Sequence, residues 1–567
     1  MFFRLHRIAC AFACLVWADT PAEEPVATIA VVSNPYMTKL AAEEIKDERG
    51  SVRGFLAKTG PESFARAVQL INRIGPDAVV VQGSLTWSGS REDFAAVRSA
   101  VDKIDAPVYT MPGHRDRPNG ALADYRAALG DLDADKQLKS VSSVTLGFAS
   151  DLHGSPDIAS SRLRKQLTTA PQSKAVLLFA DRDGEFQSSV LDADHQEFNS
   201  IVEEFSVAIR FDPTRYGYRV TCENTLPVRS VGSLAWSERG SIALVRVFED
   251  RIDVAQVSDP DQPAYSLVVP NPVMQPRLPL VRDDPYECPS YSDDRASKPD
   301  MTFALISDPQ FDRAKNRDLL IQRAESGITE LNRFHPEVVF VAGDLVNNNL
   351  PEEWELFRRH FDRLKPTLEV VAGNHDVLFN YNFVESGYAS APEKSPEYTQ
   401  LVTDALKKAA TEGFVGPTAL FEKFTGRRPD RIVEHGETAF ITISFMTQRA
   451  DDAQMQFLRN ALEQTKQKRH VFVLAHYPSL PAFGNSLQPK LGGDAVLSLL
   501  NEYRVTGYLF GHRHTNGFRL HERTAHVLSD NMRSIHLFHV FADRIVIGRK
   551  QIGSPLYERL TIPSTRQ

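Results

Sequence analysis

The chain has 567 residues, 42% of them hydrophobic and 24% charged, and a net charge of −8. That length is more than one compact core supports, so several domains are expected. The acidic balance argues against a nucleic-acid-binding surface, and beyond the N-terminus no stretch approaches the ~20 apolar residues of a membrane-spanning helix.

Arg4, His6 and Arg7 lead into an apolar run from Ile8 to Trp17, Val16-Trp17-Ala18 offers small residues for cleavage, and Asp19 to Glu24 turns acidic. This is the order of a secretory signal over residues 1–18, so the mature protein is expected to be exported, periplasmic or extracellular. Cleavage would leave two cysteines, Cys222 and Cys288. An oxidising compartment allows them to bond, and two separate thiols satisfy the sequence as well.

Residues 25–257 form a first expected domain. It carries Val32-Ser33-Asn34-Pro35, then Ile71-Asn72-Arg73-Ile74-Gly75-Pro76-Asp77 ahead of the run Val79 to Leu85, then Gly113-His114-Arg115-Asp116. Ser241 to Leu244 and Asp250-Arg251-Ile252 come late in it. From Ser258 to Pro299 proline recurs without any hydrophobic period, which predicts an extended, semi-rigid connector over 258–299.

A second domain is expected over 300–553. The apolar runs Phe303–Ile306, Val338–Val341, Leu368–Val371, Phe440–Ile443, Val471–Leu474 and Tyr508–Phe510 read as buried strands. Between them Leu320, Ala324, Ile328 and Leu331 keep one helical face, as do Trp354, Phe357, Phe361 and Leu364, and Phe457, Leu458, Ala461 and Leu462. Strands alternating with helices predict an α/β fold with helices covering a sheet.

Polar residues follow these strands directly. They are Asp308-Pro309-Gln310, Gly343-Asp344, Gly373-Asn374-His375-Asp376, His476 and Gly511-His512-Arg513-His514. Strand carboxyl ends are where open α/β sheets gather their ligands, so five loops converge on one crevice. Carboxylate, amide and imidazole donors in this mixture suit two divalent ions such as Mn, Fe or Zn, and such a pair can clamp and hydrolyse a phosphoryl group.

In this order, these motifs resemble the signature of the calcineurin-like metallophosphoesterases. The resemblance implies a two-sheet sandwich flanked by helices, and it assigns roles residue by residue. Asp344 would bridge both metals. Asp308, Gln310 and His514 would complete one site, and Asn374, His476 and His512 the other. His375 would act on the phosphate, and Asp376 would hold its imidazole or else cap a turn. Gln310 departs from the family pattern, which has His there, and a harder amide donor tilts preference towards Mn or Mg over Zn at this site, with Mn favoured. The D-P-Q form, with Phe421 to Gly436 and the Gln454-x-x-Phe457-Leu458 helix start, resembles a subgroup described as phosphoprotein phosphatases.

The first domain resembles a worn copy of the second. Its words recur 260 residues later as Leu331 to Glu337, Val339 to Leu345 and Gly373 to Asp376, with Ile306-Ser307-Asp308-Pro309 and Asp543-Arg544-Ile545 matching the remaining ones. The ligands are gone: Asn34 stands for Asp308, Tyr36 for Gln310, Ser84 for Asp344, His114 for Asn374 and Arg115 for His375. Less securely, Asp181 faces His476, while Asp212 and Thr214 face His512 and His514. The expected whole is therefore two tandem metallophosphoesterase-like β-sandwiches, the first lacking metal ligands. The expected activity is hydrolysis of a phosphomonoester, on a small molecule or a phosphoprotein, by a metal-bridging hydroxide. A diesterase with the same dinuclear site, or a binding scaffold, is the alternative.

Overall fold

The computed structural model describes residues 24–38, 52–117, 122–130, 139–149, 156–169, 173–180, 200–214, 219–223, 226–234, 241–259, 264–273, 298–311, 317–377, 396–445, 447–553 and 557–564. The signal segment 1–18, Asp181 and Cys288, with the question of its bond to Cys222, lie outside these residues.

The chain divides into two units, residues 1–258 with 268–278, and residues 259–267 with 279–567. In the first, β1 (Ala27–Ser33), β2 (Ala78–Gly83), β3 (Val108–Pro112), β10 (Ile242–Val247), β11 (Arg251–Val257) and β12 (Ser266–Pro270) form a sheet in the order β3-β2-β1-β10-β11-β12. A second sheet runs β4-β5-β6-β7-β9-β8, from β4 (Lys139–Val141), β5 (Val144–Ala149), β6 (Ala175–Ala180), β7 (Val207–Thr214), β8 (Arg219–Glu223) and β9 (Leu226–Gly232). The strand β12 lies inside the stretch expected to be a connector, and the division between the units passes through it. Its Ser-Leu-Val-Val run has prolines before it and at its end rather than within it, so the ladder is not interrupted.

The second unit holds β13 (Met301–Ile306), β14 (Val338–Ala342), β15 (Thr367–Val371), β16 (Arg431–His435), β17 (Thr438–Thr442), β18 (His470–Leu474), β19 (Gly507–Phe510), β20 (Gly517–His521), β21 (Thr524–Leu528), β22 (Ser534–Val540), β23 (Arg544–Gln551) and β24 (Tyr557–Pro563). Its sheets run β15-β14-β13-β22-β23-β24 and β16-β17-β18-β19-β21-β20. This is the order of the first unit with twelve added to every strand number. Parallel and antiparallel senses agree as well: β1 is parallel to β2 and antiparallel to β10, as β13 is to β14 and β22.

The words shared by the two halves are cross-links between elements. Asn72 bonds the Lys103 carbonyl at 2.7 Å and Asn332 the Arg363 carbonyl at 3.0 Å, each joining two helix ends. The Asp77 and Glu337 carboxylates accept from the Thr28 and Thr302 N–H at the start of β1 and β13. Arg251 stacks over Phe248 at 4.1 Å and Arg544 over Phe541 at 4.2 Å, closing the same hairpin.

Strand sidedness builds the core of the second unit. Phe303 and Leu305 point into the space between its sheets, where Phe303 meets Phe538 at 4.4 Å, Phe440 at 4.9 Å and Phe472 at 5.1 Å. Ala304 and Ile306, one residue out of phase, face a helical layer with Trp354 and Phe357. Burying each such large apolar side chain contributes roughly 1.5–3 kcal/mol. The helix Pro351–Phe361 starts on proline and two glutamates and ends on Arg358, Arg359 and His360, matching its dipole. Its buried Glu353 accepts from the Asn348 N–H at 2.8 Å, and Trp354 donates to Asn349 at 2.9 Å. The core helix thereby fixes the loop 347–350.

Candidate metal centre

The carboxyl ends of β13, β14, β15, β18 and β19 deliver the predicted residues to one place. The backbone there is held in the left-handed region at Asp308 (φ 52°), Gln310 (φ 41°), Asp344 (φ 52°), His512 (φ 75°) and His514 (φ 52°). Each such residue costs about 1–2 kcal/mol, so surrounding bonds must impose it, and strain of this kind gathers at functional sites. Part of the constraint is a main-chain ladder: Gln310 N–H donates to the Asp344 carbonyl at 2.9 Å, and Phe311 N–H to that of Leu345 at 3.2 Å.

The motif glycines make room for the ligands themselves. A Cβ on Gly373 would lie 2.2 Å from Asp344 Oδ1, one on Gly343 2.4 Å from His476 Nδ1, and one on Gly511 1.8 Å from Ser307 Oγ and 2.4 Å from Asp308 Oδ2. No side chain fits at these distances, so each glycine is where backbone must pass against a ligand.

Two donor sets result. Asp344, His476 and His512 bring one ligand atom each within 4.8 Å of one another, and so do Asp308, Asp344 and His514. Asp344 is common to both. His476 is fully buried, and its Nδ1 lies 2.9 Å from the Ala342 carbonyl. This leaves Nε2 facing Asp344 Oδ2 at 3.2 Å. The His512 Nδ1 lies 3.2 Å from that Nε2 and 3.1 Å from Asn374 Oδ1. In the other set His514 Nε2 is 3.3 Å from Asp308 Oδ1, and Gln310 Nε2 is 3.2 Å from Asp344 Oδ2. A half-turn of that amide presents its oxygen instead.

Electrostatics say what belongs there. Burial works to raise the Asp344 pKa, but His476 and His375 hold it well below the carboxylate range. Burial works to lower that of His476, and Asp344, with Asp308 behind it, outweighs this and raises it to about 9. His512, buried and facing His476, is lowered to about 3. A proton on a fully buried imidazole thus supplies the positive charge that two buried carboxylates demand. Divalent cations meet the same demand with the same donors, so the residues fit a metal pair.

His375 and Asp376 part company. Both Asp376 oxygens accept main-chain N–H groups, from Val346 at 3.0 Å and Gly373 at 2.8 Å, and the side chain is fully buried. Of the two roles expected of it, Asp376 takes the turn cap, and the Asn347 carbonyl holds the His375 imidazole instead, 2.6 Å from Nδ1. Burial, then the charge of Asp344, raises the Asp376 pKa to about 7. The His375 N–H donates to Asp344 Oδ1 at 3.0 Å, and its Nε2 stands 3.9 Å from Oδ2.

Sequence reasoning passed over Ser307, whose one hydroxyl proton lies within reach of both Asp308 and the Ala342 carbonyl, and Tyr477, packed on His512 with ring centroids 4.3 Å apart. The first had a signal, since serine precedes Asn34 in the first half as it precedes Asp308 in the second. The Asn347 carbonyl had none, because any residue could supply it.

No curated protein matches the sequence. Among solved structures, the chain is similar to a dimetal phosphatase from Danio rerio, at 14% identity and TM-score 0.33, over 48% of this chain and 100% of that one. It is similar also to a purple acid phosphatase from yellow lupin (Lupinus luteus) seeds, at 15% identity and TM-score 0.35, over 46% of this chain and 53% of that one. The family model described as calcineurin-like phosphoesterase matches residues 301–516, the stretch that carries every ligand candidate above. The match to the calcineurin-like phosphoesterase family thus falls within the second unit, on the residues that form both donor sets.

Proposed function

We propose that the second unit is a phosphomonoesterase, acting on a phosphorylated small molecule or phosphoprotein, with two divalent ions and a preference for Mn. One observation carries the reading: two donor sets share the buried Asp344, with the free edge of His375 beside them. Asp344, Asp308, Gln310 and His514 would hold one ion, and Asp344, Asn374, His476 and His512 the other. When bound, the ions supply the positive charge that polarises a phosphoryl group and activates water. The chain's own residues do the rest. The Asn347 carbonyl accepts a hydrogen bond from His375 Nδ1–H, so Nε2 is the ring nitrogen left to exchange a proton with a leaving oxygen. His375 N–H and the Gly373 turn keep Asp344 in place while this happens.

The monoester preference rests on the D-P-Q resemblance, and the choice of Mn on the amide at Gln310. Export rests on the N-terminal order of charge and apolar residues, and no described helix is long and apolar enough to cross a membrane. The strand-for-strand correspondence between the units supports an origin by duplication, followed by loss of the ligands in the first.

Phosphate release from an aryl phosphomonoester and from a bis-aryl diester, each with and without added Mn, tests the assignment. Mn-dependent turnover of the monoester is the expected result. Turnover of the diester alone, or of neither compound under any metal, overturns it.

A further inference from the structure

We propose that the crevice of the first unit binds a phosphate-type oxyanion, without metal, between Arg115 and Ser84. The proposal follows from what replaced the carboxylates. Asn34 and Ser84 are neutral where Asp308 and Asp344 are charged, and Arg115 brings a permanent cation where His375 stands. Neighbouring acids are already engaged. Asp116 accepts from the N–H groups of Leu85, Thr86 and Gly113 and from Thr86 Oγ1, at 2.7 to 2.9 Å. Asp212, at the end of β7, is held on both oxygens by Arg210, at 2.8 and 2.7 Å. Among the described residues of these loops, the charge left over is positive. A cation site has become an anion site.

The geometry supplies donors as well as charge. Ser84 is 1% exposed, and its hydroxyl has no hydrogen-bond partner among the described residues. In the second unit the corresponding Asp344 carboxylate receives the His375 N–H at 3.0 Å. Serine ends short of that carboxylate, and the Arg115 N–H has no acceptor among the described residues. The turn bearing it sits directly on Ser84, since a Cβ on Gly113 would fall 2.5 Å from Ser84 N. The Arg115 guanidinium lies 3.7 Å over the face of Trp87, which packs edge-on against Tyr36. It makes no ion pair among the described residues, so its fork is oriented by the indole and open at its edge. A buried, unpaired hydroxyl, a main-chain N–H and a stacked guanidinium therefore lie on the two loops that correspond to those of Asp344 and His375 in the second unit. An external oxyanion with more acceptor atoms than a carboxylate satisfies all three.

Full-length protein, freed of metal with a chelator, is titrated with phenylphosphonate by calorimetry and tryptophan fluorescence. Saturable binding is expected, weakened at least about tenfold by Arg115→Gln and less by Arg115→Lys, which keeps the charge but not the fork. Ser84→Ala should weaken it by about threefold. Binding that Arg115→Gln leaves unchanged, or no saturable binding at millimolar ligand, overturns the proposal. So does benzoate binding as tightly as phenylphosphonate. Metal-dependent turnover is expected to be unaltered in Arg115→Gln, so the outcome stands apart from whether the second unit is a phosphomonoesterase.

Discussion

Asp116 and Asp376 make nearly the same hydrogen bonds in two units whose loops otherwise differ. Each takes the N–H of the glycine three residues before it and one or more N–H groups from the loop after the neighbouring strand, Leu85 and Thr86 in one case and Val346 in the other. Around them Asn34 stands where the second unit has Asp308, Ser84 where it has Asp344 and Arg115 where it has His375. The unit without a ligand set acts as a control on the unit that has one. What both keep is what the fold needs, and what only the second keeps is what phosphoester chemistry needs. By that test Asp376 belongs to the fold.

The comparison breaks most readily at Asp344. Asp344→Asn should reduce metal-dependent phosphate release to background and lower metal content measured by elemental analysis, while Ser84→Ala leaves both unchanged. Next in size is His375→Ala, which should keep the metals and lose about 10²- to 10⁴-fold in kcat. Metal loss in that variant equal to that of Asp344→Asn would mean that the two residues do not have separate roles.

Gly373→Ala and Gly113→Ala form a matched pair. Both added methyls collide with the preceding loop, so each variant should lose roughly 1–3 kcal/mol in denaturant unfolding. Only Gly373→Ala should lose activity, because its clash falls on Asp344. The smallest effect is expected at Asp116. Burial, against its hydrogen bonds, raises its pKa from 3.8 to about 6. An acid that holds its proton more tightly when folded adds stability that is complete below about pH 4 and fades as the pH rises through about 6. Asp116→Asn should flatten stability across that window and cost about 1–3 kcal/mol at neutral pH through the acceptor it removes. An unaltered pH profile would show that the carboxyl titrates as it does in the unfolded chain.

Much of this was legible in the sequence, for a physical reason. Metal ligands are side chains at fixed distances from strand ends, and Asp308, Asp344, His476 and His512 lie within two residues of theirs. The repeated words were legible because Asn72 and Asn332 bond equivalent backbone carbonyls in each half, and Arg251 and Arg544 stack over equivalent phenylalanines. Main-chain partners were not. Nothing in the identity of residue 347 marks its carbonyl as the anchor of His375, and nothing in Asp376 distinguishes a carboxylate bonded to backbone from one bonded to imidazole. The strand β12 was hidden by proline frequency, which records composition but not where the prolines fall.

The left-handed turns show how much of the crevice's backbone strain is independent of its ligand side chains. Asn34 (φ 45°) and Tyr36 (φ 47°) share the positive φ of Asp308 and Gln310, although asparagine and tyrosine stand where the second unit has aspartate and glutamine. The same ladder enforces them, with Tyr36 N–H on the Ser84 carbonyl and Met37 N–H on that of Leu85. Ser84 is different: it has left the positive-φ region that Asp344 occupies. An aspartate placed at position 34 would meet the positive φ that Asp308 has, whereas one placed at position 84 would meet a chain without the strain that Asp344 carries. The first two turns behave like a spring held wound by their own ladder and the third like one let down, so the first unit sheds backbone strain at the position that corresponds to Asp344, the residue common to both donor sets.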